Sequence, residues 1–288
     1  MVVAKIMGGL GNQMFQYALG RSIALKTAQD LKLDISFFTK QKLRNYELGY
    51  FKIDENFTSA REAKLLSGEG LINTVKRRLR IPIKKPKSYF AEDIFGYFYE
   101  ELLDKTTSIY LDGYWQNERY FRDVKSTLFE DFALKDEIST IAQFYLAEIK
   151  SSNSVSLHIR RGDYVTNQHT NSFHGTCGLS YYEEAVRYIE KQVDVPKYFI
   201  FSDDIAWCKQ NFEFLQDKIF IENTSSIEDL ELMKNCKHNI IANSTFSWWG
   251  AWLGDFVDKI VIAPKQWFAD KNIQNNVGEL IPIDWIKI

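Results

Sequence analysis

The sequence has little of what metal centres and disulfide frameworks are built from. It contains three cysteines, Cys177, Cys208 and Cys236, and only four histidines. The cysteine spacing predicts neither a disulfide framework nor a CxxC metal site. No HxxxH or HExxH pattern occurs, so a protein-ligated zinc ion is not expected. A DxD motif is also absent.

Long apolar runs and a strong charge of one sign are also missing. No stretch approaches the ~18 apolar residues that a membrane span needs, and the N-terminus lacks a signal-peptide pattern. We therefore expect a cytoplasmic protein. The formal net charge is −2, which argues against general nucleic-acid binding. Residues 1–150 hold 23 Lys and Arg against 20 Asp and Glu, whereas residues 151–288 hold 13 against 18. An anion bound by the second half must therefore be held by local groups.

One segment is strongly basic. Residues 76–87, KRRLRIPIKKPK, contain seven basic residues and no acid. Such a run is usually a solvated loop. The alternative is attraction to an anionic membrane surface, which would place the protein peripherally at the inner membrane, close to lipid-linked glycans.

Strand-like and helical patterns alternate along the chain. VVAKIM (2–7) leads through a glycine turn into a helical pattern, and five strand-like segments alternate with helical ones from residue 154 onward. This alternation is typical of βαβ units and parallel sheets. We predict an α/β protein with two lobes, residues 1–150 and 151–288. Helix starts are predicted from capping boxes at Ser59–Glu62 and Ser180–Glu183, and from a cap at Ser226.

Polar clusters follow three predicted strands of the second half: HIRRGDY (158–164), FSDD (201–204) and ANSTFS (242–247). Ligands of open parallel sheets bind beyond the carboxyl ends of the strands, so we expect these clusters to converge. Arginine offers a planar fork of donors that matches phosphate oxygens. Arg160 and Arg161 therefore suit a pyrophosphate. The alternative is an ion pair with Asp163 or another acid.

The remaining polar residues of these clusters each have a functional and a structural interpretation. Asp203 and Asp204 could bind Mg²⁺ with a nucleotide, accept from a ribose or base, or open a helix whose dipole favours acids. Asp229 is a ligand for a base edge or a first-turn helix acid. The STFS hydroxyls and helix start could hold an anion or simply cap the helix. His158 could contact a purine or phosphate, or be a structural residue.

Two motifs of the first half are ambiguous in the same way. GGLGNQ is neither GxGxxG nor a Walker A loop. Its Asn12 and Gln13 could contact a substrate, although capping of the following helix is the expected role. In GYWQNERYF, Tyr114, Trp115 and Tyr120 could stack on sugar faces, but aromatic residues at this density are more often core.

Five motifs occur in an order that is typical of one family: GGLGNQMFQYA, GYWQNERYF, HIRRGDY, FSDD and NSTFSWWGAWL. With them the sequence resembles the bacterial α-1,2-fucosyltransferases of glycosyltransferase family 11, from residue 7 to beyond residue 262. The HxRRxD element is shared more widely among fucosyltransferases, whereas the N-terminal and tryptophan-rich motifs narrow the resemblance to the α-1,2 members. It implies a GT-B-like fold with two Rossmann-type lobes facing a cleft. The first lobe would be the acceptor side and the second would bind the donor.

The resemblance also implies a reaction. L-Fucose would move from GDP-β-L-fucose to the 2-hydroxyl of a terminal galactose, with inversion and with no metal or other cofactor. The acceptors considered are lactose, N-acetyllactosamine and an O-antigen galactose. Two alternatives stay open. One is a transferase of another fucose linkage or another GDP-sugar, and the other is a non-catalytic module that binds a nucleotide or a glycan.

The resemblance carries roles to individual residues. Arg160 is expected to hold the β-phosphate and assist its departure, and Asn12 to lie near the reaction centre. Asp163 is the nearest acid, as a base or as an orienting partner of an arginine. The expected donor-binding residues are His158, Arg160, Arg161, Asp203, Asp204, Asp229, Ser244, Thr245, Phe246 and Ser247, and the expected acceptor-binding residues are Gln13, Trp115 and Gln116.

Overall fold

The computed structural model describes residues 1–39, 41, 43–68, 85–162, 172–173, 175–275 and 279–288. Asp163 and most of the basic segment 76–87 lie outside the described residues. The chain divides into two compact units, Met1–Lys135 and Asp136–Ile288.

The boundary between the units lies earlier than the predicted position near residue 150. A helix over Thr140–Lys150 belongs to the second unit. Its Ile149 is buried in one cluster with Phe199 and Leu232, and Leu146 packs against the same cluster. The apolar face of this helix therefore covers the second sheet.

The first unit is built on a parallel sheet with the strand order β2-β1-β4-β3 among the described residues. Its strands are β1 (Val2–Lys5), β2 (Leu31–Asp34), β3 (Tyr89–Ala91) and β4 (Ile109–Asp112). Its helices are α1 (Leu10–Thr27), α2 (Ala60–Ser67) and α3 (Lys125–Asp131), and short 3₁₀ turns span Ser36–Thr39, Leu48–Tyr50, Glu100–Leu102, Glu118–Tyr120 and Arg122–Val124.

The second unit holds a larger parallel sheet with the order β10-β9-β8-β5-β6-β7 among the described residues. Its strands are β5 (Asn153–Ile159), β6 (Pro196–Ser202), β7 (Lys218–Phe220), β8 (His238–Ile240), β9 (Val261–Ala263) and β10 (Ile286–Lys287). Its helices are α4 (Thr140–Lys150), α5 (Leu179–Gln192), α6 (Ile205–Asn211), α7 (Ser226–Asn235), α8 (Thr245–Trp252) and α9 (Lys271–Gln274).

The strand order of the second sheet places a crevice at its centre. After β5 the chain builds outward through β6 and β7, and then returns to the other side of β5 with β8. The connections leaving β5 and β8 therefore diverge, which is the switch point where open parallel sheets bind ligands. Leu157 of β5 is paired with Ile240 of β8, so the residues that follow both strands emerge side by side.

The core of the second unit covers both faces of β5. Val155, Leu157 and Ile159 lie in one buried cluster, and Ser154, Ser156 and His158 are buried on the opposite face. Such burial on both faces is expected of a central parallel strand. Helix α8 is also enclosed, because Trp248 and Trp249 are fully buried.

Helix starts follow the predicted capping chemistry in part. The Ser59–Glu62 capping box of α2 is confirmed. The box predicted at Ser180–Glu183 is wrong, because α5 starts at Leu179 after Gly178 and has no side-chain cap.

The cap of α7 is one residue earlier than predicted. Ser225, not Ser226, accepts from the backbone N–H of Glu228, whose side chain bonds back to Ser225. No helix of the described part of the chain is long and apolar enough to cross a bilayer.

Candidate active site

Two charged pairs meet at the carboxyl edge of the second sheet, where its strands end. Arg160 and Arg161 follow β5, and Asp203 and Asp204 follow β6. The strands are in register, with Ile159 opposite Ser202. The next residues of each strand therefore emerge as neighbours, as the sequence predicted.

Asp203 binds both arginines of the motif. Its Oδ2 lies 2.6 Å from Nη1 of Arg160, and about a quarter of each side chain is exposed. Its Oδ1 accepts from the backbone N–H of Arg161 at 2.8 Å. The ion-pair interpretation is therefore correct for both arginines, with Asp203 as the acid for Arg160 and Asp204 as the acid for Arg161. One of the guanidinium nitrogens of Arg160 is fixed by this pair.

Arg161 is held by a different set of contacts. Its Nε donates to Oδ2 of Asp204 at 3.2 Å, and its guanidinium carbon lies 3.8 Å from the ring centroid of Trp207. Asp204 also caps α6 by accepting from the backbone N–H of Trp207. A guanidinium stacked on an indole and bonded to a carboxylate is positioned from two directions. Donor contacts of Arg161 and Asp204 stay predictions.

Gly162 is required by the close approach of Asp203. A Cβ at residue 162 would lie 2.5 Å from Oδ2 and 3.0 Å from Cγ of Asp203. A side chain at this position would displace the carboxylate that binds Arg160 and Arg161. The glycine of the HIRRGDY motif is therefore explained by contact with the neighbouring strand end.

His158 is buried beside these charges and is neutral at pH 7. Burial, together with the positive charge of Arg160, lowers the pKa of His158 to about 4. Its ring centroid lies 5.8 Å from that of Phe246, and Nδ1 is buried with no hydrogen-bond partner in the described part of the chain. A buried polar atom without a partner is costly, so this nitrogen is suited to a ligand.

The start of α8 lies at the same edge. Ser244 is the N-cap residue, but its side chain makes no cap hydrogen bond. Ser247 is buried, and its hydroxyl donates to the Ser244 carbonyl oxygen at 3.3 Å. The Ser244 side chain therefore does not cap α8, and the backbone N–H groups at the helix start can bind an anion instead. Anion contacts of Ser244, Thr245 and Ser247 stay predictions.

Asp229 lies in the first turn of α7 and is half-buried. Its Oδ1 accepts from the Thr224 hydroxyl at 2.6 Å. Burial raises the pKa of Asp229 to about 6. This carboxyl is therefore desolvated more than a surface helix acid would be, and its proposed contact with a base edge stays a prediction.

The glycine turn of the first unit positions Asn12 at the carboxyl edge of the first sheet. Helix α1 starts after Gly9, so Asn12 lies inside the first turn and its predicted capping role is wrong. Instead, Oδ1 of Asn12 accepts from Nε2 of Gln116 at 2.9 Å. Gly8 has a φ of 80° and a Cβ there would lie 2.8 Å from Nδ2 of Asn12. The turn therefore needs glycine at this position.

Gln13 is buried and its amide is occupied by backbone groups. Nε2 donates to the carbonyl oxygens of Gly8 (3.0 Å) and Asn45 (2.9 Å), and Oε1 accepts from the N–H of Glu47 (2.9 Å). The structure thus gives Gln13 a structural role, and the predicted acceptor contact would require these bonds to break.

The aromatic motif after β4 is mostly buried. Trp115 is 1% exposed, has a φ of 58°, and packs its ring edge-on with Tyr99 and Tyr120. Its Nε1 and the Oε1 of Gln116 are buried without a hydrogen-bond partner among the described residues. Tyr114 is 37% exposed. Stacking of Trp115 on a sugar is therefore not available in this conformation, while two buried polar atoms remain unmatched.

Sequence reasoning missed three residues that organise these edges. Trp207 stacks with Arg161. Gln16 joins the ends of β1 and β4, because its side chain accepts from the Met7 N–H and donates to the Gly113 carbonyl oxygen. Glu92 accepts from two backbone N–H groups of the turn after β4. The one available signal was Gln16, a polar residue within an apolar helix pattern.

Comparison with known proteins identifies the family. The family described as Glycosyl transferase family 11 matches residues 1–288. The chain belongs to glycosyltransferase family 11. It is 36% identical over 295 residues to an alpha-1,2-colitosyltransferase of Escherichia coli, covering 100% of this chain and 98% of that protein. The O-antigen biosynthesis glycosyltransferase WbnK of Escherichia coli is also 36% identical, over 312 residues, covering 98% of this chain and 99% of that protein.

A more distant relative and a solved structure with a similar fold were also found. The galactoside 2-alpha-L-fucosyltransferase SEC1 of Bos taurus is 28% identical over 152 residues, which cover 50% of this chain and 41% of that protein. The structure of NodZ alpha-1,6-fucosyltransferase soaked with GDP-fucose superposes with a TM-score of 0.53 at 17% identity, covering 88% and 91% of the two chains. The family 11 chain is a glycosyltransferase, and its GT-B-like fold with two parallel-sheet units is confirmed.

Potential metal ligands were searched for among the residues that the structure describes. No group of three His, Cys, Asp or Glu side chains is placed to hold a metal ion within the described ranges. Metal independence stays a prediction.

Proposed function

We propose that this glycosyltransferase moves L-fucose from GDP-β-L-fucose to the 2-hydroxyl of a terminal galactose. The observation that carries the proposal is the position of Arg160. It leaves the central strand β5 at the switch point of the second sheet and is held by Asp203. The start of α8 follows the adjacent strand β8, and the side chain of its N-cap residue, Ser244, makes no cap hydrogen bond. This is the arrangement that a departing diphosphate needs.

Charge development explains why an arginine and a helix start are useful here. Breaking the bond between sugar and phosphate leaves negative charge on the β-phosphate and a fucosyl group with oxocarbenium character. Donors that are fixed before the reaction stabilise that charge more in the transition state than in the ground state. The contact with Asp203 at 2.6 Å fixes one nitrogen of Arg160, and in this proposal the guanidinium binds the β-phosphate.

His158 supplies a neutral hydrogen-bonding group to the same donor. Because its pKa is lowered to about 4, it carries no charge at pH 7 and does not act as a general acid in the departure of the phosphate. The buried Nδ1 pairs with the ribose or guanine of the nucleotide. Phe246, next to the His158 ring, lines the same part of the donor site.

The first unit binds the acceptor in this proposal. Asn12 and Gln116 are joined by a hydrogen bond at the carboxyl edge of its sheet, and Gln116 has an unmatched buried oxygen. A hydroxyl of galactose that reaches this oxygen would supply its missing hydrogen bond. An inverting transfer needs a base for the 2-hydroxyl, and Asp163 stays the candidate either for this base or for an orienting partner of an arginine.

A colitosyl donor is the second candidate, favoured by the 36% identity to a colitosyltransferase over the full chain. Colitose differs from fucose by the missing 3-hydroxyl. A site that binds this hydroxyl rejects the deoxy sugar strongly, whereas a site without such a contact discriminates weakly. The two donors can therefore be separated by their relative kcat/KM.

The test is a transfer assay with purified protein. Labelled GDP-fucose or GDP-colitose is supplied with lactose, N-acetyllactosamine or an O-antigen galactoside, with and without a chelator. The proposal expects a product with fucose on the 2-position of galactose, formed at the same rate in the chelator. Binding of GDP-fucose without turnover would favour a non-catalytic module. A different linkage, or a kcat/KM at least tenfold higher for the colitosyl donor, would contradict the proposed specificity.

A further inference from the structure

A half-buried acid of the first unit, Glu92, organises the turn that carries Trp115 and Gln116. Glu92 follows β3 directly, and its carboxylate accepts three backbone N–H groups. Oε1 accepts from Gly96 at 3.2 Å, and Oε2 accepts from Tyr114 at 2.7 Å and from Trp115 at 3.2 Å. One carboxylate therefore joins its own loop to the turn after β4.

The turn needs this carboxylate because its backbone is unusual. Trp115 has a φ of 58°, in the left-handed region that non-glycine residues rarely adopt. Successive N–H groups in such a conformation point into one concave face and attract an anion. The Glu92 carboxylate occupies that face, so it compensates for the strained backbone with hydrogen bonds to a charged acceptor.

The fit around Glu92 is too close to be accidental packing. A Cβ at Gly113 would lie 2.5 Å from Cβ of Glu92 and 2.8 Å from Cε2 of Trp115. Two side chains after the turn bind the same loop. Asn117 donates to the carbonyl oxygen of Gly96, and the Tyr120 hydroxyl donates to the carbonyl oxygen of Tyr97. Glu92 is thus the centre of a built contact between two loops at the carboxyl edge of the first sheet.

From this geometry we infer that Glu92 is a positioning residue for the acceptor sugar. It acts through the turn after β4, which places the Gln116 side chain on Asn12. Glu92 itself uses both oxygens on backbone groups and does not touch the sugar. The inference rests on the proposed function, because it takes Gln116 and Asn12 as the acceptor side of the site.

The test compares Glu92→Gln with Asp93→Asn in the full chain. The amide keeps the size of Glu92 but replaces one accepting oxygen with an NH₂ group that faces a backbone N–H. Asp93 is the neighbouring exposed acid, so its amide variant makes the same change of charge without touching the turn. We measure KM for lactose, KM for GDP-fucose, kcat, and the slow hydrolysis of GDP-fucose in the absence of an acceptor.

We expect the KM for lactose of Glu92→Gln to rise about tenfold, as the loss of one charge-assisted bond implies. Its KM for GDP-fucose and its rate of donor hydrolysis stay within about twofold, and Asp93→Asn behaves as the wild type. A general structural defect would change donor and acceptor parameters together, and that result would overturn the inference. An unchanged KM for lactose in Glu92→Gln would overturn it as well.

A second variant and a measurement on the wild type test the inference even if Glu92→Gln does not fold. Gly113→Ala displaces Glu92 without removing its charge and should give the same selective rise in KM for lactose. In the wild type, the amides of Gly96, Tyr114 and Trp115 should exchange slowly with solvent, and rapid exchange would contradict the contact. Absence of fucosyl transfer by the wild type would instead remove the proposed function while leaving the amide protection as a separate result.

Discussion

The sharpest prediction concerns Gly162, which touches no substrate in the proposed mechanism. In Gly162→Ala, the new Cβ would lie 2.5 Å from Oδ2 of Asp203. An ordinary contact between carbon and oxygen is about 3.3 Å, so the carboxylate must move by about 0.8 Å. Asp203 cannot make this movement and keep its bonds of 2.6 Å to Arg160 and 2.8 Å to the Arg161 N–H.

The expected effect on catalysis follows from the displaced arginine. A misplacement of about 1 Å can cost roughly 100-fold in rate, which corresponds to about 2.7 kcal/mol of activation free energy. We therefore expect kcat of Gly162→Ala to fall about 100-fold at saturating donor and acceptor, measured as the initial rate of GDP release. The midpoint of thermal unfolding, measured in parallel, should fall by only a few degrees, because the affected groups are partly exposed.

Two controls connect the effect to Asp203. A Cβ at Gly178 would meet only Ser180 Oγ, at an ordinary 3.7 Å, so Gly178→Ala should keep its kcat. In an Asp203→Ala background the clash is gone, and Gly162→Ala should add little. The reasoning is refuted if folded Gly162→Ala has a wild-type kcat, or if the substitution has its full effect when Asp203 is already absent.

Three further outcomes are expected. Arg160→Ala should lower kcat by about two to three decades, and Arg160→Lys should recover only part of it because the planar fork is lost; near-normal turnover of Arg160→Ala would contradict the assignment. The pKa of His158 is lowered from 6.5 to about 4 in the folded protein. Between these pH values the histidine binds a proton in the unfolded chain but not in the folded one, so the free energy of unfolding falls as the pH falls from 6.5 toward 4. In urea unfolding, the free energy of unfolding of the wild type should fall by about 3 kcal/mol over this pH range, and His158→Gln should not show this loss. An equal pH dependence in both proteins would contradict the prediction. A double-mutant cycle of Asn12→Ala and Gln116→Ala on the KM for the acceptor should give a coupling of about 1 kcal/mol, and additive effects would count against the pair.

The sequence was sufficient to predict the carboxyl edge of the second sheet. Arg160, Asp203 and Ser244 each follow a short apolar run, and parallel strands bring their carboxyl ends together. The pairing of Arg160 with Asp203 was open, because a strand pattern does not specify which neighbour lies alongside. That neighbour follows from the register of β5 against β6, with Ile159 opposite Ser202.

The first unit was harder to predict for physical reasons. Strand β3 has three residues, which is too short for a pattern of alternating burial to be visible. Nothing in the sequence pattern therefore singles out Glu92, and its bonds to Tyr114 and Trp115 join segments that are distant in sequence. The role of Asn12 was misassigned because an asparagine after a glycine turn fits a helix cap as well as a contact with another segment. Its partner Gln116 is distant in sequence, so the hydrogen bond between them is visible only in the structure.

The strand order of the second sheet also constrains how the protein acquires its activity during synthesis. Leu157 pairs with Ile240, so the two sides of the crevice are more than eighty residues apart along the chain. Contacts of such separation form late in folding because a long loop must close first. A ribosome-bound chain that ends before β8 can pair β5 with β6 and yet leaves Arg160 beside an open, unpaired strand. During this stretch of translation the free edge of β5 is therefore exposed to pairing with another chain.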